Sequence, residues 1–252
     1  MKKPKAAVFV LTSCFGCSFE FLNLKEELMK IFEKIDFVNF RLIKEINLET
    51  EYDIAFVEGA VSTKKEIEEI KEIRKHTKFL VALGACACNG CVLTIKNYSR
   101  NAEKQVYGSS RFGSVEVKGI DKYVKTDYYL KGCPFFRHEL LDLVKKWLVG
   151  KIPREKDYNV CVECRKNQVP CLLDQGIVCL GPISLAGCNG ICPLYGRQCV
   201  GCRGLSPDAN FEKFFNLLKK KFKLSKAEIK KKFEMYNLYE DIKGREEWKR
   251  LR

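Results

Sequence analysis

The chain has 252 residues, 46% of them hydrophobic, with a formal net charge of +14 and 14 cysteines. That length and apolar share exclude a disordered tail and suit one domain of ordinary size with a smaller appendage. No stretch near the start joins a charged region to a long apolar core and a small-residue cleavage site, and no run reaches bilayer length, so a cytoplasmic location with no membrane span is expected.

The first 150 residues alternate short apolar runs with longer amphipathic ones, which predicts strands and helices in turn and a parallel, doubly wound sheet. KAAVFVL from Lys5 reads as the first strand and runs into TSCFGCSFE, which carries Cys14 and Cys17. FEFLNLKEELMKIFEKI then repeats apolar residues at helical spacing. FVNFRLI from Phe37 and DIAFVEG from Asp53 follow as strands, the second ending at Glu58, and TKKEIEEIKEIRKH reads as a helix. KFLVALG from Lys78 leads into Cys86 in GACACNGC, and DYYLKG from Asp127 leads into Cys133 in GCPFF. HELLDLVKKWLVG, from His138, closes this part as a helix.

From Lys151 the texture changes. Residues 161 to 205 hold eight cysteines and almost no periodicity, so bound metal must supply the free energy that apolar burial cannot. The segment from Ser206 reads as two or three basic helices, with KFFNLLKKKFKLSKAEIKKKF, from Lys213 to Phe233, as a solvated lysine-rich face. The expected domains are therefore 1–150, 151–205 and 206–252.

Fourteen thiols in a reducing compartment point to metal rather than to disulfides. In an open α/β sheet, ligands collect beyond the carboxyl ends of the strands. Three strand ends deliver Cys14, Cys17, Cys86 and Cys133 to one edge, a set that suits a [4Fe-4S] cube or tetrahedral zinc equally well on count. Gly16, Gly84 and Gly132 beside them let the backbone approach and free amides to point at sulfur. Cys161, Cys164, Cys171, Cys179, Cys188, Cys192, Cys199 and Cys202 make two further sets of four. CVEC and CVGC are chelating pairs that zinc ribbons share, whereas Cys133-Pro134 and Cys192-Pro193 repeat the Cys-Pro that ends ferredoxin cluster motifs. A zinc protein that binds nucleic acid through its basic tail is the alternative reading. Three cubes at about −2 each reduce the holo charge to roughly +8, which weakens it.

CxGC at Cys14 to Cys17, VEGA from Val57, GAC at Cys86, YVKTDYYLKGCP, CLLDQGIVCLGP from Cys171, and GCNGICP followed by CVGCRG stand in one order. Over residues 5 to 205 the sequence thereby resembles the small (delta- or gamma-type) subunit of cytosolic nickel-iron hydrogenases, in the sulfhydrogenase and methyl-viologen-reducing group. The resemblance implies a flavodoxin-like sheet domain, a small irregular iron-sulfur domain and a basic helical tail. It also implies three [4Fe-4S] clusters: proximal on Cys14, Cys17, Cys86 and Cys133, medial on Cys188, Cys192, Cys199 and Cys202, distal on Cys161, Cys164, Cys171 and Cys179. The subunit would carry electrons without catalysing the hydrogen reaction itself. Its implied partners are a nickel-iron large subunit and a flavin-binding or iron-sulfur subunit or a heterodisulfide-reductase-type complex, with no nucleic acid. The terminal acceptor is one of a nicotinamide cofactor, polysulfide, ferredoxin or heterodisulfide. Cys91 falls where oxygen-tolerant members carry one of two extra ligands, but the other position is Gly16 here, so Cys88 and Cys91 are read as spare structural thiols. Glu58 is read as an ordinary hydrogen-bonded or surface carboxylate, with proton relay or a position facing the partner subunit as the alternatives.

Overall fold

Residues that alternate sides along short apolar runs can cover both faces of one sheet, and the first unit, Met1–Ile152, is built that way. The structure, a computed structural model, describes residues 2–44, 50–99, 101–109 and 113–251. In chain order the strands are β1 (Lys5–Val10), β2 (Asp36–Phe40), β3 (Tyr52–Glu58), β4 (Val61–Thr63), β5 (Thr77–Leu83), β6 (Ser114–Lys118) and β7 (Tyr128–Leu130). Five of them make a parallel sheet in the order β2-β1-β3-β5-β7. The order reverses between β1 and β3, which makes the carboxyl ends of those strands the place for a ligand.

The helices of this unit are α1 (Gly16–Leu22), α2 (Glu26–Lys34), α3 (Lys64–Lys75), α4 (Gly84–Asn89), α5 (Ala102–Tyr107) and α6 (Arg137–Trp147). One sheet face presents Ala6, Val8, Ile54, Phe56, Val81 and Leu83 to α1, α2 and α6. The other presents Ala7, Ala55, Val57, Leu80 and Ala82 to Ile70 and Ile73 of α3. The fold is thus α/β with helices on both faces, as the alternating pattern predicts.

Two local features differ from the sequence reading. The helical run after Phe19 is two helices, because Lys25 takes φ of 51°, a conformation no helix interior accepts. This break lets α1 start at the cysteine motif while α2 keeps its own buried stripe of Leu28 and Ile31. Strands β4 and β6 form a separate antiparallel pair, made by segments too short to show a period.

Helix α3 opens on a capping box. Glu66 accepts from the Thr63 amide at 3.0 Å, and it also takes the amides of Thr12 and Ser62 at 2.7 and 2.8 Å. Burial pushes its carboxyl up, but the bonds from Thr12, Ser62 and Thr63 outweigh that and hold it below the usual range. A depressed carboxylate contributes stability above its unfolded value near 4.5 that is lost as pH falls through the lower folded value. Glu66→Gln is expected to cost about 2 kcal/mol in urea unfolding at pH 7. The difference from the parent chain should shrink below pH 4.5.

The second unit, Pro153–Arg252, has helices α7 (Val160–Lys166), α8 (Ile191–Leu194), α9 (Phe211–Lys220), α10 (Lys226–Glu234), α11 (Leu238–Ile242) and α12 (Glu246–Arg250). Its cysteine-rich part is held by backbone pairing in place of a sheet: Val160 N donates to Ser184 O, Ala186 N to Tyr158 O, Leu185 N to Gly204 O and Ser206 N to Ile183 O. The residues after Ser206 form four helices among those described, where the sequence leads one to expect two or three. Phe211, Phe214, Phe215, Leu218, Ile229, Phe233, Leu238, Ile242 and Trp248 are buried, in one core with Leu180 and Ile183 of the cysteine-rich part. The lysines occupy the outward side of those helices, so the reading of a solvated face holds for that side alone.

Candidate metal centres

Strand β1 ends just before Cys14, β5 before Cys86 and β7 before Cys133, so parallel pairing brings these motifs to one edge of the sheet. Cys86 and Cys133 lie close enough to Cys17 that a thiolate there feels both. Cys14 is exposed at the rim, with its sulfur 3.2 Å from where a Cβ on Gly16 would stand. Gly84 sits at φ +81°, and a Cβ there would lie 2.3 Å from the Cys17 sulfur; only glycine lets the β5 end pass this thiol. The Ala85 amide donates to Gly132 O at 2.7 Å, tying the β5 and β7 motifs together.

Aromatic packing sets the depth of this edge. Phe21, four residues after Cys17, is fully buried in edge-on contact with Phe37, Phe40, Phe56 and Phe135, ring centroids 5.3 to 6.4 Å apart. Phe135 follows Cys133 by two residues, so one ring contact locks two cysteine motifs.

Glu58, at the end of β3, is 2% exposed. Its Oε1 accepts from the Cys17 amide at 3.2 Å, and its Oε2 from the Ser18 amide at 2.7 Å and the Ser18 hydroxyl at 2.6 Å. The carboxylate therefore anchors the start of α1 and the backbone of Cys17. Burial, followed by the negative Glu58, pushes the Cys17 thiol well up.

Cys91, read from the sequence as a spare structural thiol, lies among the same thiols. It is fully buried, and the thiols of Cys86 and Cys133 are both within hydrogen-bond reach of it. That bond comes first among the causes that bring the Cys133 thiol down to about 7. Gly90 and Cys91, at φ +85° and +48°, turn the chain back after α4. The Asn89-Gly90 pair is the turn signal that would have revealed it. The Cys88 thiol donates to Ala82 O, 3.8 Å away.

In the second unit, Asn159 caps α7 by accepting from the Cys161 amide at 3.1 Å, which presents Cys161 and Cys164. The Cys179, Cys164 and Cys171 sulfurs all lie close enough to Cys161 to oppose its ionisation; together with burial, the leading cause, they push it up to about 12. Burial also leads in raising Cys164 to about 11. A Cβ on Gly181 would meet both the Cys161 and the Cys179 sulfur, at 3.3 and 3.5 Å. Cys171 is exposed.

Of the other four, Cys199 and Cys202 are near neighbours, with the Ser184 hydroxyl and the Gly201 amide on the Cys199 sulfur. The Cys199 amide points instead at the Cys179 sulfur, 3.2 Å away, so this set adjoins the preceding one. Cys188 sits beside Glu163, which stands inside the CVEC motif. Buried Glu163 accepts from the Gly187 amide at 2.8 Å and the Gly190 amide at 3.0 Å, and the Cys188 sulfur is 3.9 Å from its Oε2. Buried Arg203 donates to Ala186 O at 2.8 Å, close enough to favour the Cys188 thiolate. Cys192 lies in α8. Glu163 and Arg203 carried no sequence signal, because each acts on residues some twenty positions away.

This donor set fits iron-sulfur cubes. Backbone amides point at sulfur from Phe135 to Cys17, from Gly181 and Cys199 to Cys179, and from Gly190 and Ile191 to Cys188, the arrangement that stabilises charge on cluster thiolates. Among the described residues, no three His, Cys, Asp or Glu groups converge tightly enough for a single metal ion, whereas a cube takes its four thiolates at separate corners.

Residues 14–147 match the family model described as NADH ubiquinone oxidoreductase, 20 Kd subunit. The chain is 36% identical over 218 residues to sulfhydrogenase 2 subunit delta of Pyrococcus furiosus, covering 85% of this chain and 92% of that one. It is 27% identical over 236 residues to a vhu-type F420-non-reducing hydrogenase subunit of Methanococcus voltae, covering 80% and 82%. A solved NAD+-reducing [NiFe]-hydrogenase chain superposes with a TM-score of 0.54 at 29% identity, over 61% of this chain and 95% of that one. A chain of the Dm. baculatum [NiFeSe]-hydrogenase shares the fold over 82% of this chain and 96% of its own, with a TM-score of 0.57 at 18% identity. The strand-end thiols, the switch-point sheet and these likenesses agree: the chain belongs to the NADH ubiquinone oxidoreductase 20 kDa subunit family and, within it, to the iron-sulfur small subunits of nickel-iron hydrogenases of the sulfhydrogenase and F420-non-reducing type.

Proposed function

We propose that this subunit holds three [4Fe-4S] clusters and relays electrons between the nickel-iron centre of a large subunit and a flavin or iron-sulfur partner. Cys14, Cys17, Cys86 and Cys133 would hold the proximal cluster, in the sheet domain 1–150. Cys188, Cys192, Cys199 and Cys202 would hold the medial cluster, and Cys161, Cys164, Cys171 and Cys179 the distal one, both within 151–205. Bound there, such cubes supply one-electron transfer. The observation that carries the reading is the mutual proximity of Cys161, Cys164, Cys171 and Cys179, a full four-thiolate set in a segment with little regular structure.

The protein's own groups hold and insulate these positions. Glu58 and Glu163 fix the backbone that presents Cys17 and Cys188. Leu172 and Leu173, backed by Leu217 and Phe222, keep water from Cys179 and Cys199, and lower solvent exposure shifts a cluster's potential. We place the complex in the cytoplasm, where a reducing environment keeps thiols available to bind metal. The partner would pass electrons on to a nicotinamide cofactor, polysulfide, ferredoxin or heterodisulfide.

Anaerobic purification followed by metal analysis tests this directly. About twelve irons and twelve sulfides per chain are expected, with three paramagnetic centres on reduction. Zinc without iron, or iron well short of that count, overturns the reading.

A further inference from the structure

Between Lys213 and Lys232 the chain has nine lysines and one glutamate. Because Phe214, Phe215 and Leu218 of α9 and Ile229 and Phe233 of α10 are buried in the core, the charged side chains are gathered on the outward side. Lys213, Lys220, Lys221, Lys223 and Lys231 are all exposed. Such a concentration of like charge repels itself, and it raises the arrival rate of an oppositely charged protein.

The patch borders one particular thiol. Lys221 Nζ is 3.5 Å from Asp174 Oδ1, three residues after exposed Cys171. Leu217 and Phe222, on either side of Lys221, pack against the cluster that holds Leu172, Leu173 and Cys179. Arg165 and Lys166, exposed in the last turn of α7, follow Cys164 directly. Basic side chains thus approach the edge of the Cys171 set from two helices.

We propose that this basic rim is the docking surface for an acidic electron-carrier protein, whose carboxylates meet the lysines and whose redox centre is brought against the Cys171 edge. The proposal rests on the reading that Cys171 belongs to the outermost cluster. A polyanion such as nucleic acid would also be drawn to lysines, but the exposed thiol edge within the patch favours a redox protein. Charge complementarity of this kind sets orientation and on-rate.

The test uses the full, cluster-loaded chain and an acidic plant-type [2Fe-2S] ferredoxin, with affinity measured by calorimetry while both proteins are oxidised. Lys220→Glu combined with Lys223→Glu is expected to weaken binding about tenfold, as is raising the salt from 0.05 to about 0.5 M. Lys64→Glu combined with Lys65→Glu, the same charge change on exposed positions of α3, should leave it unchanged. Equal loss in both variants, no loss in the first, or equally tight binding of basic cytochrome c overturns the proposal. Tighter binding of a single-stranded DNA oligomer than of ferredoxin overturns it in favour of nucleic acid. Iron content, measured on the same samples, reports separately on the cluster reading, since binding of the oxidised partners needs no electron transfer.

Discussion

Glu163→Gln is expected to raise the midpoint potential of the cluster proposed on Cys188 by about 100 mV, leaving the potential of the one proposed on Cys17 unchanged. A buried negative charge beside a redox centre disfavours the added electron. With an effective dielectric near 20 and a separation of about 6 Å, removing it is worth roughly 3 kcal/mol, or a little over 100 mV for one electron. Glutamine also replaces one acceptor oxygen with an amide donor, so one of the two glycine amides that Glu163 now takes, Gly187 or Gly190, loses its partner. Redox titration followed by electron paramagnetic resonance separates the two effects. A potential shift at full iron content reports the charge, whereas loss of about four irons reports failure of the loop. A variant with the parent potentials and the parent iron content would show that Glu163 has no influence on this centre.

Glu58→Ala is expected to be the most damaging substitution outside the cysteines. It leaves the amides of Cys17 and Ser18 and the Ser18 hydroxyl without the acceptor they share, in a place where water does not reach. Buried donors stranded in this way cost about 1–3 kcal/mol each, so a total near 4 kcal/mol is expected once the chain has relaxed. The damage should be local, because α1 alone hangs on this carboxylate. In urea unfolding the stability loss should come with weakened iron binding at the proposed Cys17 site, while the signals of the clusters proposed for the second unit persist. Glu58→Gln, which keeps an acceptor oxygen, should recover at least half of the stability. Equal behaviour of the two variants would show that the hydrogen bonds do not hold the site.

Much of the first unit is legible in the sequence because each strand of a sheet covered on both faces is a short, nearly continuous apolar run. Ala6 to Val8, Ile54 to Val57 and Leu80 to Leu83 are all buried in this way. Cys86 follows one such run and Cys133 follows the short strand Tyr128–Leu130, so their meeting at one edge follows from parallel pairing. The family is also legible, since its motifs are local and ordered along the chain. The proximity of Cys91 to Cys86 and Cys133 had one local signal, the Asn89-Gly90 turn, but no periodicity encodes it, because it depends on two residues with positive φ after α4. The division of the first helical run at Lys25 was hidden too, for the apolar spacing continues across it. The lysine-rich segment is legible as helices with a solvated face, but its buried side is not, because its charges dominate the composition while the buried rings are scattered from Phe211 to Trp248.

Read alone, the amino-acid order determined which segments become strands, which thiols stand at their ends, and the family to which the chain belongs. These are properties of periodicity and of neighbours a few residues apart. Only the tertiary structure decided that Glu58 holds Cys17, that Glu163 from one cysteine motif holds the loop of another, and that the helices after Ser206 share a core with Leu180 and Ile183. Those contacts join residues 20 or more positions apart. Their energy comes from burial and hydrogen bonds that exist only once the chain has folded back on itself, and no local pattern encodes them.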